Sequence, residues 1–292
     1  MEYEGIVYRP PSEARSLILQ VTIGCAHNTC TFCNMYKAKQ FRVRTREEVL
    51  ADLEELHEKG YGPYFRKVFF ADGDALVLPT ETLLVYLAAV KKYFPNVTRV
   101  ASYGTAQDVL RKTPEELRTL RDAGLGIVYL GAETGDDEIL RYINKGVTAQ
   151  EILAAGKKLK ECGIATSVTL ISGLGGRDKV ERHALSCAEL ISGMNPEYAS
   201  FLTLRLYEGT PFYDDVVAGR FERITPDEIM DEMEIFLKHV DSPGTIFRTN
   251  HASNYVLLAG TLNEDIPEML EDVRQAREAH RYRRFREMGD LL

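Results

Sequence analysis

Apolar positions along this chain follow two alternating rhythms. Residues 17–23 form a β-rich and nearly all-apolar run, as expected of a strand buried on both faces in a parallel sheet. Thr45 followed by Glu48 then makes a capping box. It opens a helix through about residue 59, with Val49, Leu50, Leu53 and Leu56 on one face and Gly60 ending it. The alternation repeats. Strands are expected over 67–71, 97–103, 126–131, 164–171 and 198–204, separated by helices over 80–94, 106–110, 114–123, 136–143, 149–162 and 177–192. Six strands alternating with helices imply a parallel α/β sheet with right-handed crossovers, either open and doubly wound or closing toward a barrel. In both forms ligands gather beyond the carboxyl ends of the strands.

Beyond Phe212 the rhythm changes. The stretch 221–224 leads into Thr225-Pro-Asp-Glu, a helix N-terminus, with the helix reaching about residue 240. A β-like run at 244–248, a polar stretch at 249–254 and a terminal helix at 264–288 follow. Arg277, Arg281, Arg283, Arg284 and Arg286 are expected on a solvated face of that last helix. The chain thus divides into a core over 1–215, with an extended lead-in, and a C-terminal extension over 216–292. The extension is expected to cover the core and to contribute to the substrate side.

Composition adds bounds rather than chemistry. The 292 residues are 45% hydrophobic and 27% charged, as in an ordinary globular protein. A formal net charge of −8 argues against broad binding to a phosphate backbone. No apolar run approaches the roughly 20 residues that cross a bilayer, and the acidic start Met-Glu-Tyr-Glu-Gly does not read as a signal or transit sequence. A cytoplasmic location, away from any membrane, is expected. Five cysteines are few for a secreted disulfide scaffold.

Three of them carry the chemistry. Cys25, Cys30 and Cys33 stand at Cys-x4-Cys-x2-Cys spacing in the loop after the first strand. The intervening residues are too few for a helix or strand, so all three sulfurs can face one small object. Iron–sulfur clusters normally take four cysteine ligands; three would leave one iron of a [4Fe–4S] cluster open to an exchangeable ligand. A structural zinc site with His27 completing Cys3His is the rival reading. Against it, no second Cys/His pair follows, and His27 is only two residues from Cys25. Cys162 and Cys187 sit in helical patterns and read as buried small hydrophobes.

The cysteine loop after a first strand, with Phe32 just before the last cysteine, resembles the radical S-adenosylmethionine (SAM) superfamily, in its Elp3- and HemN-like branches. The spacing has one residue more than the commonest Cys-x3-Cys-x2-Cys, and the likeness extends through about the first 215 residues. It implies an incomplete (β/α)6 TIM-like barrel of parallel strands with a mainly helical C-terminal extension. It implies a [4Fe–4S] cluster on Cys25, Cys30 and Cys33, with SAM chelating the open iron. Reductive cleavage would give methionine and a 5′-deoxyadenosyl radical that takes hydrogen from a substrate. An oxygen-sensitive enzyme, fed electrons by a flavodoxin- or ferredoxin-type protein, follows from the same likeness.

Further correspondences lie at the strand ends. Asp72, Gly73 and Asp74 resemble the Gly-Gly-Glu position that meets the amino group of SAM, although Asp-Gly turns are frequent anywhere. Glu133 matches a SAM-contacting carboxylate, and Lys145 a basic residue near the SAM carboxylate; as a bare sequence feature Lys145 reads equally as a helix C-terminal cation. The turn at 172–176, with Ser172, Gly173 and Gly175, permits close backbone approach. It is not Gly-x-Gly-x-x-Gly, so a nicotinamide cofactor is unsupported. In the superfamily this turn and Phe32 line the adenine pocket.

Arg205, Tyr207, Asn250, His251 and Asn254 are the substrate-side candidates, and a small molecule fits the acidic balance better than nucleic acid. An ion pair for Arg205 and a turn network for 249–254 are the plainer readings of those residues. A non-catalytic haem or cluster carrier on the same fold, and a zinc-stabilised module, remain the alternatives.

Overall fold

The computed structural model describes residues 1–283, so Arg284 and Arg286 of the expected cationic face lie outside the described residues. The chain forms two compact units.

The first unit comprises Met1–Asn28, Cys33–Leu130 and Lys157–Thr166. Its strands β1 (Leu17–Gln20), β4 (Lys67–Ala71), β5 (Arg99–Gly104) and β6 (Leu125–Glu133, of which the last three residues belong to the second unit) run parallel in that order. The expected first strand is broken at Val21. From there β2 (Thr22–Ile23) turns away to pair antiparallel with β3 (Arg42–Val43). Helices α1 (Arg46–Glu58), α2 (Thr80–Tyr93), α3 (Ala106–Arg111) and α4 (Pro114–Ala123) fill the crossovers. The capping box read at Thr45 and Glu48 opens α1, and Thr113 with Glu116 repeats it on α4.

Period-two alternation sorts the side chains of this sheet. Ile18, Phe69, Ala71, Ala101, Ile127 and Tyr129 make one apolar cluster. The intervening Phe70 meets Tyr86 of α2 edge-on, 6.4 Å between centroids. The lead-in packs on the sheet rather than trailing from it. Val7 lies against the apolar cluster, Tyr3 donates to the Ile18 carbonyl at 3.0 Å, and the Gln20 amide bonds both backbone groups of Glu4. Glu13 is wholly buried; it accepts from the Tyr129 hydroxyl at 2.6 Å and from Ser16, and pairs with Arg99.

The second unit holds Thr29–Phe32, Gly131–Gly156 and the described chain from Ser167 to residue 283. Strands β7 (Ala165–Ser172, whose first two residues belong to the first unit), β8 (Tyr198–Thr203) and β9 (Ile246–Arg248) are parallel, and β10 (Ala259–Thr261) adds antiparallel to β9. Helices α5 (Asp137–Tyr142), α6 (Ala149–Glu161, whose C-terminal part belongs to the first unit), α7 (Val180–Met194), α8 (Pro211–Val217), α9 (Pro226–His239) and α10 (Ile266–Glu278) complete it. Phe201, Phe236 and Phe247 bring β8, α9 and β9 into one aromatic cluster, with Phe201 4.8 Å from Phe236 and Phe236 stacked on Phe247 at 5.6 Å.

Two helices here depart from the sequence reading. Thr210 caps α8 where no helix is expected, its hydroxyl accepting from the Tyr213 amide with Pro211 at the first helical position. The terminal helix stops at Glu278 because His280 takes a left-handed φ of 47° just past the cap. Arg281 and Arg283 therefore lie beyond it. Arg277 is ion-paired with Asp231 and Glu234, and Arg283 donates to the His251 carbonyl. Among the described residues no helix is long and apolar enough to cross a membrane.

Replacing Glu13 by Ala would leave the Arg99 guanidinium and the Tyr129 hydroxyl without their shared acceptor. Urea unfolding of Glu13→Ala is expected to show a loss of about 3 kcal/mol, the usual cost of removing one partner of a buried ion pair.

Candidate metal centre and cofactor site

In the first unit the turn after β4 lies against the start of the cysteine loop. Gly73 N–H donates to the Gly24 carbonyl at 3.1 Å, and the Ala71–Asp72 peptide is cis. Asp72 is fully buried and already engaged. Its carboxylate accepts from the Gln20 amide at 3.2 Å, from Gly24 N–H at 3.0 Å and from the Lys39 ammonium at 2.7 Å. Asp74 follows, 2% exposed. A side chain at position 73 would bring its Cβ to 3.0 Å from Cys25 Cβ and into the ring of Tyr36, so only glycine fits. Cys25 and Cys33 are half-buried, and none of the five cysteines is in a disulfide.

The second unit holds the middle of the same loop by backbone bonds. Thr31 N–H donates to the Ile143 carbonyl at 2.9 Å, Phe212 N–H to the Thr31 carbonyl at 3.2 Å, and the Asn144 amide to the Thr29 carbonyl at 3.2 Å. Phe32 packs against Ile171, Leu174 and Leu204, at the carboxyl ends of β7 and β8. Glu133 ends β6 in the left-handed region at φ 66°, a conformation that costs a non-glycine residue free energy and persists where its surroundings impose it. Its carboxylate meets the Lys145 ammonium at 2.7 Å, with both side chains largely buried. Two residues marked separately in the sequence are thus partners, and Lys145 is more than a helix-end cation.

The turn after β7 is braced from behind. Gly173, at φ 88°, donates its N–H to the Glu232 carboxylate at 3.0 Å. Glu232 also takes His183 Nδ1 at 2.6 Å, and His183 Nε2 lies 3.5 Å from Cys187 Sγ. Burial disfavours charge on His183, yet Cys187 and Glu232 together raise its pKa well above the usual imidazole range. In front of this brace the Ser172 hydroxyl is buried with no hydrogen-bond partner.

The substrate-side candidates divide. Asn254 is 4% exposed and ties β8 down, accepting from the Thr203 hydroxyl at 3.0 Å and donating to the Phe201 carbonyl at 2.7 Å. His251 Nδ1 accepts from Ser253 N–H at 3.1 Å in a turn network. Asn250 is exposed, and Arg205 and Tyr207 are half-buried just beyond β8.

Among the described residues no three His, Cys, Asp or Glu side chains converge on a single metal-ion position. Ligands of a four-iron cluster bind different irons and stand farther apart than the ligands of one ion. The donor set fits such a cluster: three half-buried thiols within nine residues, with a partnerless buried hydroxyl on Tyr36 near Cys25 and Cys33.

The sequence pattern of the Radical SAM superfamily matches residues 19–186, more than half of the chain. The chain belongs to the radical SAM superfamily.

An uncharacterized methyltransferase of Pyrococcus horikoshii is 24% identical over 204 residues, covering 69% of this chain and 42% of its own. The heme chaperone HemW of Bacillus subtilis is 22% identical over 185 residues, covering 62% and 48%. The chain therefore spans less than half the length of these curated relatives. Among solved structures, coproporphyrinogen III oxidase (HemN) of Escherichia coli aligns at TM-score 0.56 and 17% identity, over 77% of this chain and 54% of that one. Elp3 of Methanocaldococcus infernus aligns at 0.55 and 14% identity, over 92% and 64%. This radical SAM chain accordingly has the superfamily's partial (β/α)6 barrel of parallel strands, with a mainly helical C-terminal part.

Three residues near the radical SAM motifs escaped the sequence reading. Tyr36 was lost in the basic run 35–44. His183 and Glu232 were lost inside amphipathic helices, although each interrupts an apolar stripe, beside Ala184 and Cys187 on α7 and beside Ile229 and Met233 on α9.

Glu232→Gln is expected to lower stability by about 3 kcal/mol at neutral pH. Because the folded pKa of His183 is raised, the pair's contribution is complete below about pH 6.5, the free-imidazole value, and fades as pH rises through the folded value. The gap between wild type and Glu232→Gln in urea titrations should therefore narrow on the alkaline side; a gap that widens there contradicts this assignment.

Proposed function

We propose that this chain is a radical SAM enzyme in which Cys25, Cys30 and Cys33 bind a [4Fe–4S] cluster that leaves one iron for S-adenosylmethionine. The observation that carries the reading is the superfamily match over residues 19–186, which spans the three-cysteine loop and the strand ends that follow it. When bound, the cluster supplies the electron that cleaves SAM to methionine and a 5′-deoxyadenosyl radical, which takes hydrogen from the substrate.

The residues divide that work. Asp72, held by Lys39, Gln20 and Gly24, fixes the turn on which Gly73 and Asp74 face the ligand's amino group. Glu133 and Lys145 offer a carboxylate and an ammonium to the methionine portion. Ser172, Gly173 and Gly175 take the nucleoside, with Phe32 as an apolar wall for adenine. Residues 1–215 form the catalytic core. Residues 216–292 cover it and supply the substrate side with Asn250 and His251, beside Arg205 and Tyr207 from the core. The substrate is a small molecule, and a flavodoxin- or ferredoxin-type protein delivers the electron. The methyltransferase among the relatives makes methyl transfer one outcome to assay.

Protein reconstituted anaerobically with iron and sulfide, then reduced with dithionite, should convert SAM to 5′-deoxyadenosine, read by mass spectrometry. Cys30→Ala should abolish this. Glu133→Gln should keep turnover at saturating SAM but raise KM about tenfold, in line with loss of one charge-assisted hydrogen bond. A wild-type protein that carries the cluster yet yields no more 5′-deoxyadenosine than Cys30→Ala would refute the enzyme reading.

A further inference from the structure

Tyr36 is 4% exposed, and its hydroxyl is buried with no hydrogen-bond partner. A buried phenol is usually satisfied, because leaving the donor unpaired costs free energy. The ring is nevertheless firmly placed. Tyr8 packs edge-on against it at 5.6 Å between centroids, its carbonyl accepts from the Asn28 amide at 3.1 Å, and the missing side chain of Gly73 makes room for it.

Around the hydroxyl, the obvious acceptor is taken. Asp72 already receives Gln20, Gly24 and Lys39. Beside Asp72, the Tyr103 phenol and the thiols of Cys25 and Cys33 lie near the hydroxyl. A buried phenol hydroxyl with no acceptor of its own, its ring set beside Cys25, is a donor available to the cysteine loop.

We propose that Tyr36 tunes the cluster: its hydroxyl donates a hydrogen bond to a sulfur on the Cys25 and Cys33 side of the bound [4Fe–4S] group and raises its reduction potential. The inference rests on the reading of Cys25, Cys30 and Cys33 as cluster ligands. The physical reason is that reduction adds negative charge to the sulfurs, so a donor stabilises the reduced state more than the oxidised one.

The test compares wild type with Tyr36→Phe, both reconstituted anaerobically. Iron and sulfide content, thermal midpoint and an EPR-monitored redox titration without SAM are the readouts. Both proteins should bind a full cluster. In Tyr36→Phe the equilibrium constant for reduction should fall about tenfold, which is about 59 mV more negative for a one-electron couple. A purely structural role would move the thermal midpoint and leave the potential in place. Should the Phe variant fail to fold, 3,5-difluorotyrosine at position 36, a stronger donor, should shift the potential upward. Equal potentials in cluster-loaded wild type and variant overturn the inference alone. A wild type that takes up no cluster overturns the ligand reading, and the inference with it.

Discussion

Four of the buried carboxylates among the described residues each sit beside a cation that is itself mostly withdrawn from water. Glu13 has Arg99, Asp72 has Lys39, Glu133 has Lys145 and Glu232 has His183. An isolated buried carboxylate would either take up a proton or unfold its surroundings. The pairs add little net stability over apolar replacements. Their effect is geometric: each acid must sit where its cation can reach, and that requirement pins the segments carrying both.

Three of the pairs act on strand ends. Lys39 reaches Asp72 from the segment after the cysteine loop, so the turn after β4 and that segment are held together within the first unit. Lys145, beyond α5, closes on Glu133 and holds the last residue of β6 in a backbone conformation that glycine would adopt more readily. Glu232 is set on α9, outside the stretch matched by the superfamily pattern. It reaches the N–H of Gly173 while His183 balances its charge. The fourth pair, Glu13 with Arg99, ties the lead-in to β5. Strands supply the frame, and buried ions set the turns that leave it.

This explains what could be read from sequence and what could not. Strand β4 and helix α4 appear with the bounds their patterns imply, because alternation, capping boxes and proline at a first helical turn are local signals. The break at Val21 was not readable, since an apolar run does not say where a strand changes partner. Helix α8 was readable in principle: Thr210-Pro211 carries the same cap-then-proline signal as Thr225-Pro226, but it sits directly behind a strand end rich in candidate ligands. In the basic run 35–44 the cations read equally as solvating a loop or as meeting a carboxylate or phosphate near the cysteines, without saying which carboxylate; Lys39 turns inward to Asp72 and Arg44 to Asp52 at 2.7 Å. Pairing between distant residues is a tertiary fact, and a single sequence shows only the two unpaired halves.

The pairing also bears on how an amino-acid-like ligand would be received. A lone buried carboxylate at Glu133 would attract a cation but would penalise the ligand's own carboxylate. The observed Glu133–Lys145 pair is neutral as a unit. A zwitterion can divide such a pair, its ammonium taking Glu133 and its carboxylate taking Lys145, without leaving a net charge in the low-dielectric interior. An uncharged or purely anionic ligand would have to break the same contact at 2.7 Å and leave one ion stranded. Under the proposed function, the closed pair would favour ligands carrying both charges close together, as the methionine portion of S-adenosylmethionine does, over those that carry one.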